Sequence, residues 1–155
     1  MVLTLHRIAH GLYRARVPLL PRLLYVVNRV LFAVVLPPSV RLGRDVLLGY
    51  QGLGVVIHAD AVLGDRVVVS PGVTIGGTGT RPGVPVISDD VLIGTGAKLL
   101  GPIHIGRGAR IGANAVVLCD VPAGAVATGV PARIRASRAA HAAHAEHAEH
   151  ERAAT

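Results

Sequence analysis

The sequence predicts an all-β domain, a parallel β-helix built from hexapeptide repeats, with a short helical segment before it and a tail after it. Three observations carry this. An aliphatic residue recurs at sixth positions through Leu42, Leu48, Ile57, Leu63, Val69, Ile75, Ile87, Ile93, Leu99, Ile105, Ile111 and Val117, with breaks only from Leu48 to Ile57 and from Ile75 to Ile87. A Gly follows many of them, as at Gly64, Gly76, Gly94, Gly106 and Gly112. The residue four places on is small or branched, as at Val46, Gly52, Ala61, Val67, Val73, Val91, Ala97, Ile103, Ala109 and Ala115. A period of six is neither helical nor a plain strand alternation. It gives each repeat one short strand, with two inward side chains, and one tight corner.

Composition agrees. The chain has 155 residues, enough for one domain with a core, but one Phe, three Tyr and no Trp. A core of Val, Ile, Leu and Ala with abundant Gly suits a uniform repeat better than an irregular globule. The formal net charge of +7 points to nucleic acid, an anionic membrane surface or a polyanionic small molecule. The scarcity of aromatic rings for base stacking and the lack of a nucleic-acid motif argue against nucleic acid. The single Cys119 excludes an internal disulfide and a cysteine-ligated zinc site, and it suits a cytoplasmic location.

Taken in order, residues 1–39 form an N-terminal helical segment. Residues 1–17 read as a basic helix with Arg7, Arg14 and Arg16, broken by Pro18 and Pro21. Leu23 to Leu36 read as a second helix, stopped by Pro37-Pro38 because the residue before a proline is pushed out of the helical region. The apolar run from Leu19 to Leu36 contains Pro21, Arg22, Asn28 and Arg29, which a membrane-spanning helix would carry in lipid at high cost. A helix lying against the body and covering the open first coil is the expectation, and membrane-surface contact through residues 19–36 the alternative. Residues 40–136 form the β-helix, whose rhythm is expected to end after Val117. Residues 137–155 read as a flexible, solvated tail in which His141, His144, His147 and His150 recur at spacing three.

The second break spans twelve residues and has room for two repeats. The middle one would place Arg81 inward, beside Pro82 and Pro85. An unpaired buried Arg is costly and interior strands reject Pro. The segment is therefore expected to leave the helix as a loop, carrying Thr80 and Arg81 over a groove.

The stretches Gly72-Val73-Thr74-Ile75-Gly76-Gly77-Thr78-Gly79, Val91-Leu92-Ile93-Gly94-Thr95-Gly96-Ala97-Lys98-Leu99-Leu100-Gly101 and Gly129-Val130-Pro131-Ala132-Arg133-Ile134 keep one order and spacing. In this they resemble the serine acetyltransferase branch of the hexapeptide-repeat acyltransferases, over Val40 to Ile134. The resemblance implies a left-handed parallel β-helix that assembles as a homotrimer, with active sites between subunits. It implies acetyl-CoA as co-substrate, lying along the groove between adjacent helices. It also implies O-acetyl transfer to a small hydroxylated acceptor, L-serine first. A sugar or specialised metabolite, acetylated on oxygen or nitrogen, is the alternative acceptor, and a catalytically inactive trimeric scaffold is a third reading. Thr95 and Ala113 match pantetheine-contacting positions. Gly76, Gly77 and Gly94 lie at or beside corners where a small residue admits a ligand, and Lys98 and Arg133 are cationic partners for the phosphates.

The chain departs from the usual serine enzymes in three places. Tyr50 and Gln51 stand where those enzymes carry an Asp-His pair, and the loop after Gly79 lacks their second His. Their large N-terminal helical domain, which pairs trimers, is not expected. A short branch, often found in surface-polysaccharide gene clusters, shares Leu48-Gly49-Tyr50 and Gly52-Leu53-Gly54-Val55-Val56-Ile57-His58.

Acyl transfer to a hydroxyl needs a base, and the repeat region offers only His58 and His104. His58 follows the inward Ile57, so its side chain projects outward beside an irregular corner. It is the candidate general base, and His104 reads as a surface residue. Tyr50 and Gln51 are placed to orient the acceptor or the thioester carbonyl. Asp60 is a candidate to fix the His58 tautomer through a neighbouring chain, and the N–H groups at Gly76-Gly77 to stabilise an oxyanion. A zinc carbonic anhydrase on the same scaffold would need three His ligands, so no metal centre is expected.

Overall fold

The computed structural model describes residues 1–79 and 81–136. Thr80 and the His-containing tail lie outside the described residues.

The repeat winds into stacked coils of three short strands. β1 (Arg41–Leu42), β2 (Leu47–Leu48) and β3 (Val56–Ile57) make the first coil. β4 (Val62–Leu63), β5 (Val68–Val69) and β6 (Thr74–Gly76) make the second, and β7 (Val86–Ile87), β8 (Leu92–Ile93) and β9 (Lys98–Leu100) the third. β10 (His104–Ile105), β11 (Arg110–Ile111) and β12 (Val116–Val117) make the fourth, followed by β13 (Val126–Thr128) and β14 (Arg133–Arg135). Like strands of successive coils pair in parallel, giving three faces ordered β1-β4-β7-β10, β2-β5-β8-β11-β13 and β3-β6-β9-β12. β14 closes the second face in antiparallel pairing with β13.

The predicted inward positions form the core. Leu48 through Val117 of the six-residue ladder are buried, as are all ten positions four places on. Leu42 is half-buried because it belongs to the first, open coil. Ile87 pairs with Ile105, 18 positions on, which is three repeats per coil. Leu42 pairs with Leu63, 21 positions on, and Leu63 with Ile87, 24 positions on. The two breaks are thus insertions of three and six residues into an unchanged stack.

Two kinds of corner explain the glycines. After the aliphatic residue, the next coil passes so close that a Cβ on Gly94 would sit 2.6 Å from the Ala113 nitrogen. Three residues after it, the chain turns through the left-handed region, at Asp45, Arg66, Gly72, Asp90, Gly96, Gly108, Asn114 and Gly124. Gly, Asn and Asp tolerate that region best. Where Arg66 occupies it, its guanidinium reaches the Asp90 carboxylate of the next coil at 2.6 Å. Arg44–Asp65 and Arg107–Asp89 make similar ties between coils.

The ends differ from the sequence expectation. The rhythm does not stop at Val117. Val121 bridges Ile105, 16 positions back, and Val121, Ala125 and Ala127 are buried, so a two-residue deletion hides a further partial coil. At the front, α1 (Val2–Arg14) ends before residue 17, and Arg16 takes a positive φ of 57°. α2 (Leu20–Phe32) begins earlier than Leu23, because Pro21 falls in its first turn, where no intrahelical N–H is needed. It stops at Phe32 because Ala33 turns left-handed, and Val34-Val35-Leu36 joins the β-helix instead. Val34 and Leu36 are buried and Val35 bridges Val56. α1 lies on the first coil, with Val2 in the common core and His6 and Ala9 on the same inner face. α2 lies against α1, and only Pro21 and Asn28 along it are fully buried. Among the described residues no helix is long and apolar enough to cross a membrane.

Candidate active site

Two edges of the coil stack flank the face made by β3, β6, β9 and β12, and the candidate residues divide between them. The first edge follows those strands. Ile57 pairs with Ile75, which places His58 beneath Gly76 in the next coil, and the His58 N–H donates to the Ile75 carbonyl at 2.8 Å. The six-residue insertion leaves the stack immediately after Gly76. The result is an open cleft of about 450 Å³ lined by His58, Asp60, Gly77, Arg81, Pro82 and Val84, among others. The second break therefore lies directly beside His58. Residues 77–79 and 81–84 lie outside the stack, as expected for a loop, while Pro85 re-enters it as a buried residue just before β7. The loop is seated at Gly83, whose φ of 109° and whose approach to Pro102 both exclude a side chain.

Gly76 differs from the other glycines that directly follow a residue of the aliphatic ladder. A Cβ there would meet nothing within 4 Å, although Gly76 still pairs with Leu100 of the next coil. The packing of the chain does not require glycine at that position, which lies next to the cleft-lining Gly77.

His58 is half-exposed at its side chain, and its Nδ1 accepts the Asp60 main-chain N–H at 3.2 Å. The Asp60 carboxylate lies 3.7 Å from the same nitrogen. Asp60 thus approaches His58 within one chain through its main-chain N–H, with its carboxylate beyond hydrogen-bond distance. With Nδ1 accepting, the neutral ring carries its proton on Nε2. To receive a proton at Nε2, the ring must take the Nδ1–H tautomer, for which the Asp60 carboxylate is the nearby acceptor.

The second edge precedes the same strands and stacks Gly54, Gly72, Gly96 and Asn114 in a column. Gly94, Thr95 and Ala113 belong to this edge. Arg133 pairs in register with Thr128, whose methyl lies over Gly112, so it stands at the end of the column. Lys98 crosses toward this edge, and its Nζ donates to the Gly72 carbonyl at 2.7 Å. That bond commits the ammonium to holding two coils together in the free chain.

Tyr50 and Gln51 also lie on the second edge, in the three-residue insertion, and not in the His58 cleft. Both have left-handed backbones, with φ of 50° and 58°. Consecutive non-Gly residues in that region cost roughly 1–2 kcal/mol each. Tyr50 is 86% exposed. The Gln51 Oε1 instead accepts from the Met1 amino group at 3.4 Å and the Val2 N–H at 3.5 Å, fastening α1 to the first coil. In one chain the structure brings His58, Asp60, Gly76, Gly77 and Arg81 together. It sets Tyr50, Gln51, Gly94, Thr95, Ala113 and Arg133 on the other edge. His104 lies on another coil with its Nε2 3.1 Å from the Ser88 hydroxyl. Sequence reasoning missed Gly83 and Val84, although the Pro82-Gly83 turn signal was there to find them.

Comparison with known proteins agrees with this architecture. The model of the bacterial transferase hexapeptide (six repeats) family matches residues 85–119. A serine acetyltransferase of Synechococcus elongatus is 45% identical over 134 residues, covering 85% of this chain and 54% of that protein. A serine acetyltransferase of Helicobacter pylori is 40% identical over 130 residues, covering 83% of this chain and 75% of that protein. The crystal structure of serine acetyltransferase in complex with coenzyme A from Brucella abortus superposes with a TM-score of 0.83 at 39% identity, covering 87% of this chain and 54% of that one. The chain spans little more than half the length of several of these relatives. Fold and corner chemistry define a left-handed β-helix of hexapeptide repeats. Within that class, the chain belongs to the serine acetyltransferase family.

Proposed function

We propose that the protein is an acetyl-CoA-dependent O-acetyltransferase whose acceptor is the hydroxyl of L-serine. The observation that carries this is similarity to serine acetyltransferases at 40–45% identity along more than four-fifths of the chain. The open cleft at His58 supports it. His58 accepts the acceptor O–H proton as the oxygen attacks the thioester carbon. The new C–O bond forms, the C–S bond breaks, and the proton passes to the departing CoA sulfur. This requires the ring to give up the Asp60 main-chain N–H and carry its proton on Nδ1, with the Asp60 carboxylate as the nearby acceptor. The Gly76-Gly77 main chain borders the developing oxyanion. Gly94, Thr95 and Ala113 border the pantetheine, with Arg133 near the phosphates. Lys98 joins Arg133 only by giving up the Gly72 carbonyl.

The working site in this proposal lies between subunits of a homotrimer. The separation of the two edges supports it, because one chain holds the base on one edge and the cofactor positions on the other. Exposed Val56, on the face between those edges, also supports association. Tyr50 then meets the acceptor from a neighbouring subunit. Exposed Cys119, unpaired among the described residues, suits a cytoplasmic setting.

A sugar or specialised-metabolite acceptor is the second reading, favoured by Tyr50 and Gln51 standing where the usual enzymes carry Asp-His. Thiol release from acetyl-CoA, measured across L-serine, homoserine and nucleotide sugars with the product identified by mass, separates the two. Turnover with serine above the others is expected. Turnover with a sugar and none with serine would replace the leading reading.

A further inference from the structure

α2 is apolar on both faces, with Pro21, Leu24 and Phe32 on the inner side beside Asn28 and an uncovered aliphatic stripe on the outer side. Leu23, Val26 and Val30, spaced i, i+3 and i+7, share one helical stripe and are all exposed, Val30 to 76%. The face turned to the protein holds Asn28, 1% exposed, whose Nδ2 donates to the Val2 carbonyl while its Oδ1 has no partner. Leu19 before α2, 77% exposed, and Leu20 at its start add to this surface. A helix that keeps a second aliphatic stripe on its outer face suits an apolar surface beyond the protein, not water.

Charge identifies the surface. Residues 1–44 contain seven Arg and no Asp or Glu, the first carboxylate being Asp45. Arg22 and Arg29 flank the exposed stripe, and the turn between the helices forms an open crevice of about 590 Å³ lined by Arg14, Arg16 and Arg22. A second copy of this chain is a poor occupant, because matching faces would oppose arginines with no acid in the segment to meet them. Free phosphate would suit the arginines but leave the aliphatic stripe in water. At 13 residues, α2 is about 20 Å long, short of the roughly 30 Å hydrocarbon layer, so it would lie along a bilayer surface and not cross it.

We propose that the α1–α2 hairpin is a peripheral membrane anchor, seating Leu19, Leu23, Val26 and Val30 in an anionic lipid surface with Arg14, Arg16, Arg22 and Arg29 on the headgroup phosphates. This favours the membrane-surface alternative over a helix that merely covers the coil, and it is independent of the acceptor.

The test is co-sedimentation of the full chain with vesicles of phosphatidylglycerol and phosphatidylcholine, beside vesicles of phosphatidylcholine alone. Binding is expected with the anionic vesicles, weakened by salt and unaffected by excess inorganic phosphate. Leu23→Ser/Val26→Ser/Val30→Ser, and separately Arg22→Gln/Arg29→Gln, should each lower partitioning about tenfold or more. Because all five positions are exposed, circular dichroism should be unchanged, and the arginine variant keeps the test valid if the serine variant misfolds. No binding to anionic vesicles, equal binding to neutral ones, or release by phosphate would overturn the proposal. A fall in oligomer mass of the serine variant by light scattering would reassign the face to another copy.

Discussion

Among the described residues, the β-helix buries no polar or charged side chain, whereas the short hairpin in front of it buries His6 and Asn28 and exposes Leu19, Leu23, Val30 and Leu31. Both regions are rich in aliphatic residues, so composition does not separate them. Periodicity does. In the β-helix a fixed six-residue rhythm puts aliphatic side chains inside and lets each coil stabilise the next. In the hairpin the aliphatic residues of α2 recur at helical spacing on the outer side. The β-helix core is complete in itself, except at its open first coil, and the hairpin is organised for a contact on its far side.

Removing the same kind of group from each region is the strongest way to break this comparison. Ile93→Ala should cost about 2–5 kcal/mol, seen as a large fall in the denaturation midpoint, because Ile93 is wholly buried. Val30→Ala should leave the midpoint nearly unchanged. Comparable losses at both positions would mean that the α2 stripe is covered in solution.

The next effect is on pH dependence. Burial, with the neighbouring His10 charge, lowers the His6 pKa from 6.5 to about 4. The unfolded chain then binds the proton more readily than the folded one between those values. Stability is full above pH 6.5 and falls as pH drops toward 4, by up to about 3 kcal/mol. Urea titrations across that range should show the fall in the native chain and a flatter profile in His6→Leu.

Asn28→Leu is expected to have a smaller effect, within about 1 kcal/mol of the native chain. It loses one hydrogen bond but also removes a buried, unpartnered carbonyl oxygen. The smallest change belongs to Arg66→Gln at an exposed corner pair, where the melting temperature should barely move.

The same contrast governs what could be read from the sequence. The inward positions were legible because the period is strict and each repeat reports its neighbour. The far end was not, because a two-residue deletion carries Val121 into register with Ile105 and leaves only Ala125 and Ala127 to mark the next strand. The start of α2 is hidden because Pro21 reads as a breaker while serving as a first-turn residue. Val34-Val35-Leu36 looked like more helix until Ala33 turned left-handed. In the site, the outward placement of His58 and the loop over it followed from the repeat. Tyr50 and Gln51 lie seven or eight residues before His58, yet a three-strand coil puts them on another edge. Short sequence separation does not mean shared location in this fold, because a strand lies between successive corners.

The central claim is that His58 is the proton acceptor in acetyl transfer, and steady-state CoA release from acetyl-CoA with L-serine, comparing the native chain with His58→Ala, tests it most directly. The account predicts a fall in kcat of about 10²–10⁴-fold, with acetyl-CoA binding and oligomer mass retained. Unchanged kcat in the variant would contradict it.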